Sequence, residues 1–158
     1  MFDWGADVER MNTTEENIFE TNNINLIDFG FVTPYLSSKG GQKHIKKGLL
    51  DLFHGNLVFA SVNQMKFNKT SRRDDMISLF YFLVYLLQEG KLPGIELGED
   101  YNASEEFEKI LQTKKSQGIN DLCFGASKDL EKFHQEVFSY KFADAPNYEE
   151  LRKMLNRL

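Results

Sequence analysis

The sequence predicts a mainly α-helical fold that is built around one buried central helix and carries a small β-hairpin near the N-terminus. Residues 76–87 form a nearly unbroken apolar run, which is typical of a helix that is buried on all sides. Two later segments, 104–115 and 127–140, carry apolar side chains at helical spacing, and each begins at a serine that can cap a helix. Because a helix with no polar face needs packing partners all round, we expect the rest of the chain to surround residues 76–87.

The β-hairpin is predicted from residues 18–27. Two short apolar runs, 18–20 and 24–27, lie on either side of residues 21–23, whose sequence Thr-Asn-Asn favours a turn. We expect the two runs to pair as short antiparallel strands.

The central helix has start and stop signals on both sides of its apolar run. Ser71 can cap its N-terminus, and the carboxylates of Asp74 and Asp75 complement the positive end of its dipole. Gly90 and Pro93 end the helix soon after the apolar run. The run is too short to span a bilayer, so the helix is expected inside a protein core.

Length, composition and net charge indicate which class of protein the chain belongs to. The 158 residues, of which 41% are hydrophobic and 27% charged, are those of one ordinary globular domain. A formal net charge of −5 argues against a general nucleic-acid binder, and we interpret the short basic stretches 43–47 and 114–115 as solvated faces. With one cysteine, Cys123, no internal disulfide can form, and no signal segment follows Met1. We therefore expect a cytoplasmic protein without membrane contact, in which Cys123 is a small buried hydrophobic residue.

His134 and Asn147 are the notable polar residues of the C-terminal third. No second histidine, cysteine or carboxylate stands at metal-ligand spacing from His134, so we interpret it as a residue at the helix surface or the core edge. Asn147 is the predicted cap of a last helix that runs to Leu158.

Three motifs resemble the casein kinase 1 family of protein kinases, and they follow one another in the order that the family uses. Residues 55–63 end in Ser-Val-Asn, which is similar to the family's Ser-Ile-Asn. Residues 71–75, Ser-Arg-Arg-Asp-Asp, precede an apolar helix and Leu92-Pro93. Residues 141–148 and the helix after them resemble the closing segment of the family.

The resemblance implies a truncated protein-kinase-like C-lobe as a single domain over residues 1–158. Residues 16–158 correspond to the casein kinase 1-like lobe, and residues 1–15 to a degenerate catalytic-loop region. The residues ahead of Asn12 are too few for an N-lobe, so we expect the Gly-rich loop, the strand lysine and the hinge that hold ATP to be absent.

The residues at the catalytic positions of the family are altered. The Asp-Phe-Gly motif that begins at Asp28, together with Asn17, resembles the two magnesium ligands of kinases. Asn12 and Thr14 stand where the family has the catalytic aspartate and lysine. The amide of Asn12 has almost no basicity with which to accept a hydroxyl proton, and Thr14 offers no cation to a phosphoryl group. The resemblance thus implies no catalytic residue and a vestigial Mg/ATP site at most; structural use of Asn17 and Asp28 is the alternative.

At the other family positions, the residue of this chain either has an expected structural role or differs from the residue of the family. Val58 falls where the family has an arginine that helps to bind acidic or phosphorylated substrate residues, and an isopropyl group cannot pair with phosphate. Asp75 matches the central-helix aspartate that hydrogen-bonds the catalytic-loop backbone, and capping of the helix is the other interpretation; both predict that Asp75→Ala destabilises the fold. We assign structural roles to Arg73 and Asp75. Phe80 replaces the usual glycine and adds bulk to the core.

Two functions are compatible with these motifs. The first is a catalytically inactive structural or protein-interaction subunit of a larger intracellular assembly, whose protein partner covers the surface left by the missing N-lobe and by the helix that precedes the catalytic loop. Parts of Phe80, Phe82, Val84 and Leu87 would meet water unless such a partner covers them. The alternative is the C-terminal half of a Ser/Thr protein kinase whose N-lobe is supplied by another chain or is missing from the gene model.

Overall fold

A computed structural model of the chain describes residues 27–37, 43–96, 103–123, 125 and 127–158. The chain divides into two units, Met1–Val32 and Thr33–Leu158. In the first unit the described residues form a short 3-10 turn at Phe29–Phe31. Most of the predicted β-hairpin, residues 18–26, lies outside the described residues.

The second unit is built from helices. These are α1 (Val62–Met65), α2 (Arg72–Leu87), α3 (Ala103–Ser116), α4 (Ile119–Leu122), α5 (Lys128–Ser139) and α6 (Tyr148–Leu155). Within the described ranges, β-structure is limited to isolated bridges such as Leu49 with Asn68. The predicted mainly α-helical fold is confirmed. None of the described helices combines the length and hydropathy needed to cross a bilayer.

The central helix is α2, as predicted from its apolar run. Its buried face carries Ile77, Phe80, Tyr81 and Val84, and it packs against α5, which in turn packs against α6. The core at these contacts is contributed by Leu130, Phe133 and Val137 of α5 and by Leu151 and Met154 of α6. α3 contacts α1 and adds Ile110 and Leu111, which are both buried, to the same core.

The expectation that α2 is covered on every side is wrong for one face. Phe82, Leu86 and Leu87 remain 43, 56 and 52% exposed. Phe80 and Val84, for which we also expected partial exposure, are 0 and 1% exposed. The bulk of Phe80 is accommodated by α5 rings, since its own ring meets those of His134 at 4.9 Å and Phe138 at 5.6 Å.

The predicted caps of the last two helices are confirmed. The Ser127 hydroxyl accepts a hydrogen bond from the Leu130 N–H at 3.2 Å at the start of α5. The Asn147 side chain accepts one from the Glu150 N–H at 3.2 Å at the start of α6. α3 begins at Ala103, one residue before the serine that we expected to cap it.

Candidate functional site

One carboxylate organises the start of α2. Asp74 is 1% exposed and accepts hydrogen bonds from four groups. These are the Ser61 hydroxyl at 2.7 Å, the Asn63 amide at 3.3 Å, the Ser71 backbone N–H at 2.9 Å and the Ser71 hydroxyl at 3.4 Å. The side chain of Arg73 adds a cation 3.6 Å from the same carboxylate. A buried carboxylate is tolerated when its oxygens are satisfied in this way.

This arrangement explains the Ser-Val-Asn motif. The hydroxyl of Ser61 donates to Asp74 and also accepts from the Gln64 N–H at 3.1 Å, which caps α1. Asn63 supplies the second donor to Asp74. The motif therefore holds the segment before α1 against the N-terminus of α2.

The two arginines of the Ser-Arg-Arg-Asp-Asp motif bind the segment that follows α5. Arg72 donates to the carbonyl of Ala143 at 3.2 Å and lies over the ring of Tyr35, 4.5 Å from its centroid. Arg73 donates to the carbonyl of Tyr140 at 3.4 Å. The structural role of Arg73 stays a prediction, and the motif as a whole contacts three distant parts of the chain.

The predicted structural aspartate Asp75 differs from its neighbour. Its side chain is exposed, whereas the hydrogen-bonded cap of α2 is formed by Asp74. Although the Asp75 side chain reaches solvent, surrounding protein atoms remove part of the water around its carboxyl. This desolvation, and then the negative charge of Asp74, raise the pKa of Asp75. The family's partner for Asp75 is the catalytic-loop backbone, which the resemblance places among residues 1–15, outside the described part of the chain. The structural role of Asp75 stays a prediction.

Of the predicted magnesium ligands, the structure describes Asp28. Its backbone is left-handed, with φ of 60°, and its carboxylate accepts a hydrogen bond from the Gly30 N–H at 3.2 Å. Asn17, Asn12 and Thr14 lie outside the described residues. In the part of the chain that is described, no group of three or more metal-ligating side chains occurs. Asp28 alone does not build a magnesium site, because Mg²⁺ demands an octahedron of oxygen ligands.

Lys114 on α3 corrects one expectation from the sequence. The prediction of a solvated face fits Lys115, which is exposed, but it is wrong for Lys114, which is 5% exposed. Its ammonium donates to the carbonyls of Leu57 at 3.0 Å, Val58 at 2.8 Å and Ala60 at 2.6 Å. Lys114 therefore fixes the segment that leads into α1.

Two features of the environment of Lys114 have opposite effects on its protonation: burial favours the neutral amine, and the three carbonyl acceptors favour the charged ammonium. The ammonium lies 4.3 Å from the centroid of the Tyr81 ring, and none of the ion pairs among the described residues involves it. Burial lowers the pKa of Lys114 to about 7. Only the ammonium form can donate to all three carbonyls, since a neutral amine has two N–H groups. The charged and neutral forms are therefore close in free energy near neutral pH.

Val58 lies where the resemblance placed a phosphate-binding arginine. Its side chain borders a cavity of about 520 Å³, together with Tyr85 and the segment 90–96 that follows α2. The aliphatic side chain offers no charge to an anion there.

Cys123 and His134 take the positions that were predicted for them. Cys123 is buried, and burial raises its pKa to about 11, so it is a packed hydrophobic residue rather than a reactive thiol. His134 is partly buried at the edge of the core, where burial lowers its pKa.

Comparison with known proteins yields one consistent set of relatives. The chain is 35% identical to a probable casein kinase I homolog of Encephalitozoon cuniculi in an alignment of 147 residues that covers 90% of this chain and 45% of that protein. The homologues of this chain are casein kinase I proteins. Casein kinase I homolog 1 of Saccharomyces cerevisiae is 35% identical over 86% of this chain and 25% of its own length. Casein kinase I homolog 2 of Schizosaccharomyces pombe is 31% identical over 85% and 30%. No family model matches the sequence.

The casein kinase I relatives confirm the resemblance over only part of a kinase. The chain spans less than half the length of these relatives. Its mainly helical structure and its partial coverage of protein kinases are both consistent with a kinase C-lobe.

Sequence reasoning missed Lys114 and the pairing of Ser61 with Asp74. A signal for Lys114 was present, since it follows Ile110 and Leu111 by four and three residues and so shares their buried helix face. The Ser-Val-Asn motif was noticed, but residue spacing alone does not reveal which carboxylate it contacts.

Proposed function

We propose that this chain is a catalytically inactive, casein kinase 1-like C-lobe that works as a structural or protein-interaction subunit of a larger cytoplasmic assembly. The observation that carries the proposal is the exposed apolar face of α2. A helix that forms the core of the lobe leaves three large apolar side chains in water, and exposed apolar patches commonly mark interaction surfaces.

The exposed face has the spacing of a helix-docking surface. Phe82, Leu86 and Leu87 are its exposed members. Leu79 and Leu83, which are partly buried, share the face, so the five positions follow the pattern i, i+3, i+4, i+7 and i+8. An amphipathic helix of a protein partner would complement this face.

The catalytic positions support an inactive lobe. By resemblance, Asn12 and Thr14 replace the base and the cation of the catalytic loop, and neither can take over the lost chemistry. Val58, whose side chain is aliphatic, occupies the position of the substrate-binding arginine. A scaffolding role needs the fold but not the catalytic residues, because catalytic function depends on the site and not on the fold.

A Ser/Thr protein kinase whose N-lobe comes from another chain or from a longer product is the second candidate. The partial coverage of casein kinase I relatives fits this candidate equally well. Asp28 and Asn17, which match the two magnesium ligands by type, favour it.

Two assays separate the candidates. The first incubates the full chain with radiolabelled ATP, magnesium and casein, and we expect no phosphate incorporation above the buffer control. Incorporation that Asp28→Ala abolishes would support the kinase and refute the inactive lobe.

The second assay tests the interaction face with matched variants. Leu86→Ser removes an apolar side chain from the face, and Leu49→Ser removes one that is 73% exposed on a loop outside α2. We expect the wild-type chain to bind a hydrophobic dye and to self-associate, and Leu86→Ser to reduce both effects more than Leu49→Ser does. A soluble wild-type monomer that does not bind the dye would show that the face needs no partner.

A further inference from the structure

Exposed leucines and lysines lie together along one loop of the second unit. Residues 43–52 read Lys-His-Ile-Lys-Lys-Gly-Leu-Leu-Asp-Leu. Leu49 and Leu52 are 73 and 66% exposed, so their side chains project from the surface instead of packing into the core. The three lysines of the loop are exposed as well. The loop therefore presents apolar and cationic groups to solvent at the same place.

A second basic segment, residues 66–70, lies beside this loop. The Lys69 N–H donates to the Gly48 carbonyl at 2.9 Å, and the Leu50 N–H donates to the Phe67 carbonyl at 2.7 Å. These bonds place the two lysines of the segment, which are both exposed, beside the leucines. We call the resulting surface the basic loop patch, and it consists of Lys43, Lys46, Lys47, Leu49, Leu52, Lys66 and Lys69.

The basic loop patch is anchored at both ends of its loop. His44 forms an antiparallel bridge with Leu36 near the first end, and Leu49 forms one with Asn68 near the other. A surface whose backbone is already fixed loses little conformational entropy when it binds.

The charge of the patch is opposite to that of the whole protein. Residues 43–52 and 66–70 contain five lysines and one carboxylate, that of Asp51, whereas the formal net charge of the chain is −5. None of the ion pairs among the described residues involves any of these five lysines. The patch therefore attracts anionic surfaces that the rest of the protein repels.

An anionic phospholipid surface satisfies both kinds of group in the patch. Ammonium groups pair with anionic headgroups, while leucines enter the boundary between headgroups and acyl chains. A bilayer accepts single projecting side chains without a matching pocket, whereas a protein partner would need a concave site for each leucine. A nucleic acid offers phosphates but no apolar layer in which the leucines could be buried.

We propose that the basic loop patch binds the surface of an anionic phospholipid bilayer, with its lysines on the headgroups and with Leu49 and Leu52 in the interface. The expectation of a protein without membrane contact rested on the lack of a signal or spanning segment, and peripheral binding needs neither. Cytoplasmic leaflets carry anionic lipids, which agrees with the cytoplasmic location proposed above. The proposal goes beyond the interaction face on α2, since it uses none of the residues of that face.

Sedimentation of the full chain with vesicles tests the proposal. The probes are vesicles of phosphatidylcholine alone and vesicles in which about one third of the lipid is phosphatidylserine. We expect binding to the anionic vesicles to be at least about tenfold tighter, because several lysines act together. Raising the salt concentration from about 0.1 to about 1 M should remove most of this difference, since it screens the lysines from the headgroups.

Two variants test the two parts of the patch separately. Lys47→Gln should weaken binding to the anionic vesicles about fivefold, whereas Lys128→Gln, the same change at an exposed lysine of α5, should stay within about twofold of wild type. Leu52→Ser should also weaken this binding at least about fivefold, because it removes an apolar side chain from the interface. Its matched control is Leu158→Ser, at a leucine that is exposed outside the patch.

Three outcomes would overturn the proposal. They are equal affinity for the two kinds of vesicle, no binding to either, and tight binding of soluble polyglutamate together with unchanged vesicle binding by Leu52→Ser. The last of these would show that the patch binds an acidic protein segment instead of a bilayer. All of these substitutions lie outside the exposed face of α2, so a failure here leaves the dye and self-association results of Leu86→Ser intact.

Discussion

Replacing Asp74 by asparagine should strongly destabilise the lobe. The substitution preserves the shape of the side chain but exchanges one carboxylate oxygen for an NH₂ group. In the structure both oxygens face donors: Oδ1 accepts from Ser61 and Asn63, and Oδ2 accepts from the Ser71 N–H. Whichever way the asparagine amide turns, its NH₂ group meets at least one donor.

The expected loss of stability in Asp74→Asn follows from the burial of the side chain and from the removal of its negative charge. Hydrogen bonds to charged groups contribute about 1.5–3 kcal/mol each, and a buried donor that loses its acceptor costs about 1–3 kcal/mol. Asp74 is 1% exposed, so water cannot replace the lost acceptor. We expect Asp74→Asn to lower the free energy of unfolding by about 3–5 kcal/mol, which is a large share of a domain's total of about 5–15 kcal/mol.

Urea denaturation followed by circular dichroism measures this loss. Asp51→Asn is the matched control, since it makes the same chemical change on an exposed side chain of a loop. A substitution at such an exposed position should change stability by less than about 0.5 kcal/mol. A loss for Asp74→Asn below about 1 kcal/mol, or no larger than that for Asp51→Asn, would refute the role of the Asp74 network.

Two predictions concern the buried lysine. Lys114→Met should lower the free energy of unfolding by about 2–4 kcal/mol at neutral pH, because three carbonyls lose their donor, and urea titration checks this. A stabilised variant would show instead that the desolvation cost of the ammonium dominates. The second prediction is that wild-type stability rises between about pH 7 and 9. The folded pKa of Lys114 is about 7 against an ordinary value of 10.5, so in this range the unfolded chain binds more protons, and stability increases with pH. Above about pH 9 the raised pKa of Cys123 opposes the rise, because the unfolded thiol ionises first. Lys114→Met should remove the increase, and an identical pH profile in both proteins would contradict the assignment.

The central helix could be predicted from the sequence because its signals are local. An apolar run, a serine cap and a glycine after the end depend on neighbouring residues alone. The structure places α2 at Arg72–Leu87, which agrees with the prediction. The exposed face was predicted only in part: Phe82 and Leu87 were expected to meet water, but so were Phe80 and Val84, which are buried. A helix that is apolar all round gives no periodic signal for the side that stays uncovered.

The sequence also could not show which of Asp74 and Asp75 has its carboxylate buried. Adjacent helix residues point about 100° apart, so only one of the two carboxylates can face the core. Which one does so depends on where Ser61 and Asn63 are placed by the rest of the fold. Likewise, the charge of Lys114 suggested solvent, whereas its position was decided by carbonyls that lie more than fifty residues earlier in the chain.

The contacts at the start of α2 have a consequence for how the lobe folds. Arg72 and Arg73 bind carbonyls that lie 71 and 67 residues further along the chain. Such non-local contacts form only after long loops have closed, which slows folding and makes it more cooperative. The segment after α5 cannot detach without releasing both guanidinium groups from their acceptors. Hydrogen exchange at the first turn of α2 and at the end of α5 should therefore proceed through one shared opening, so that these two regions behave as a single cooperative unit.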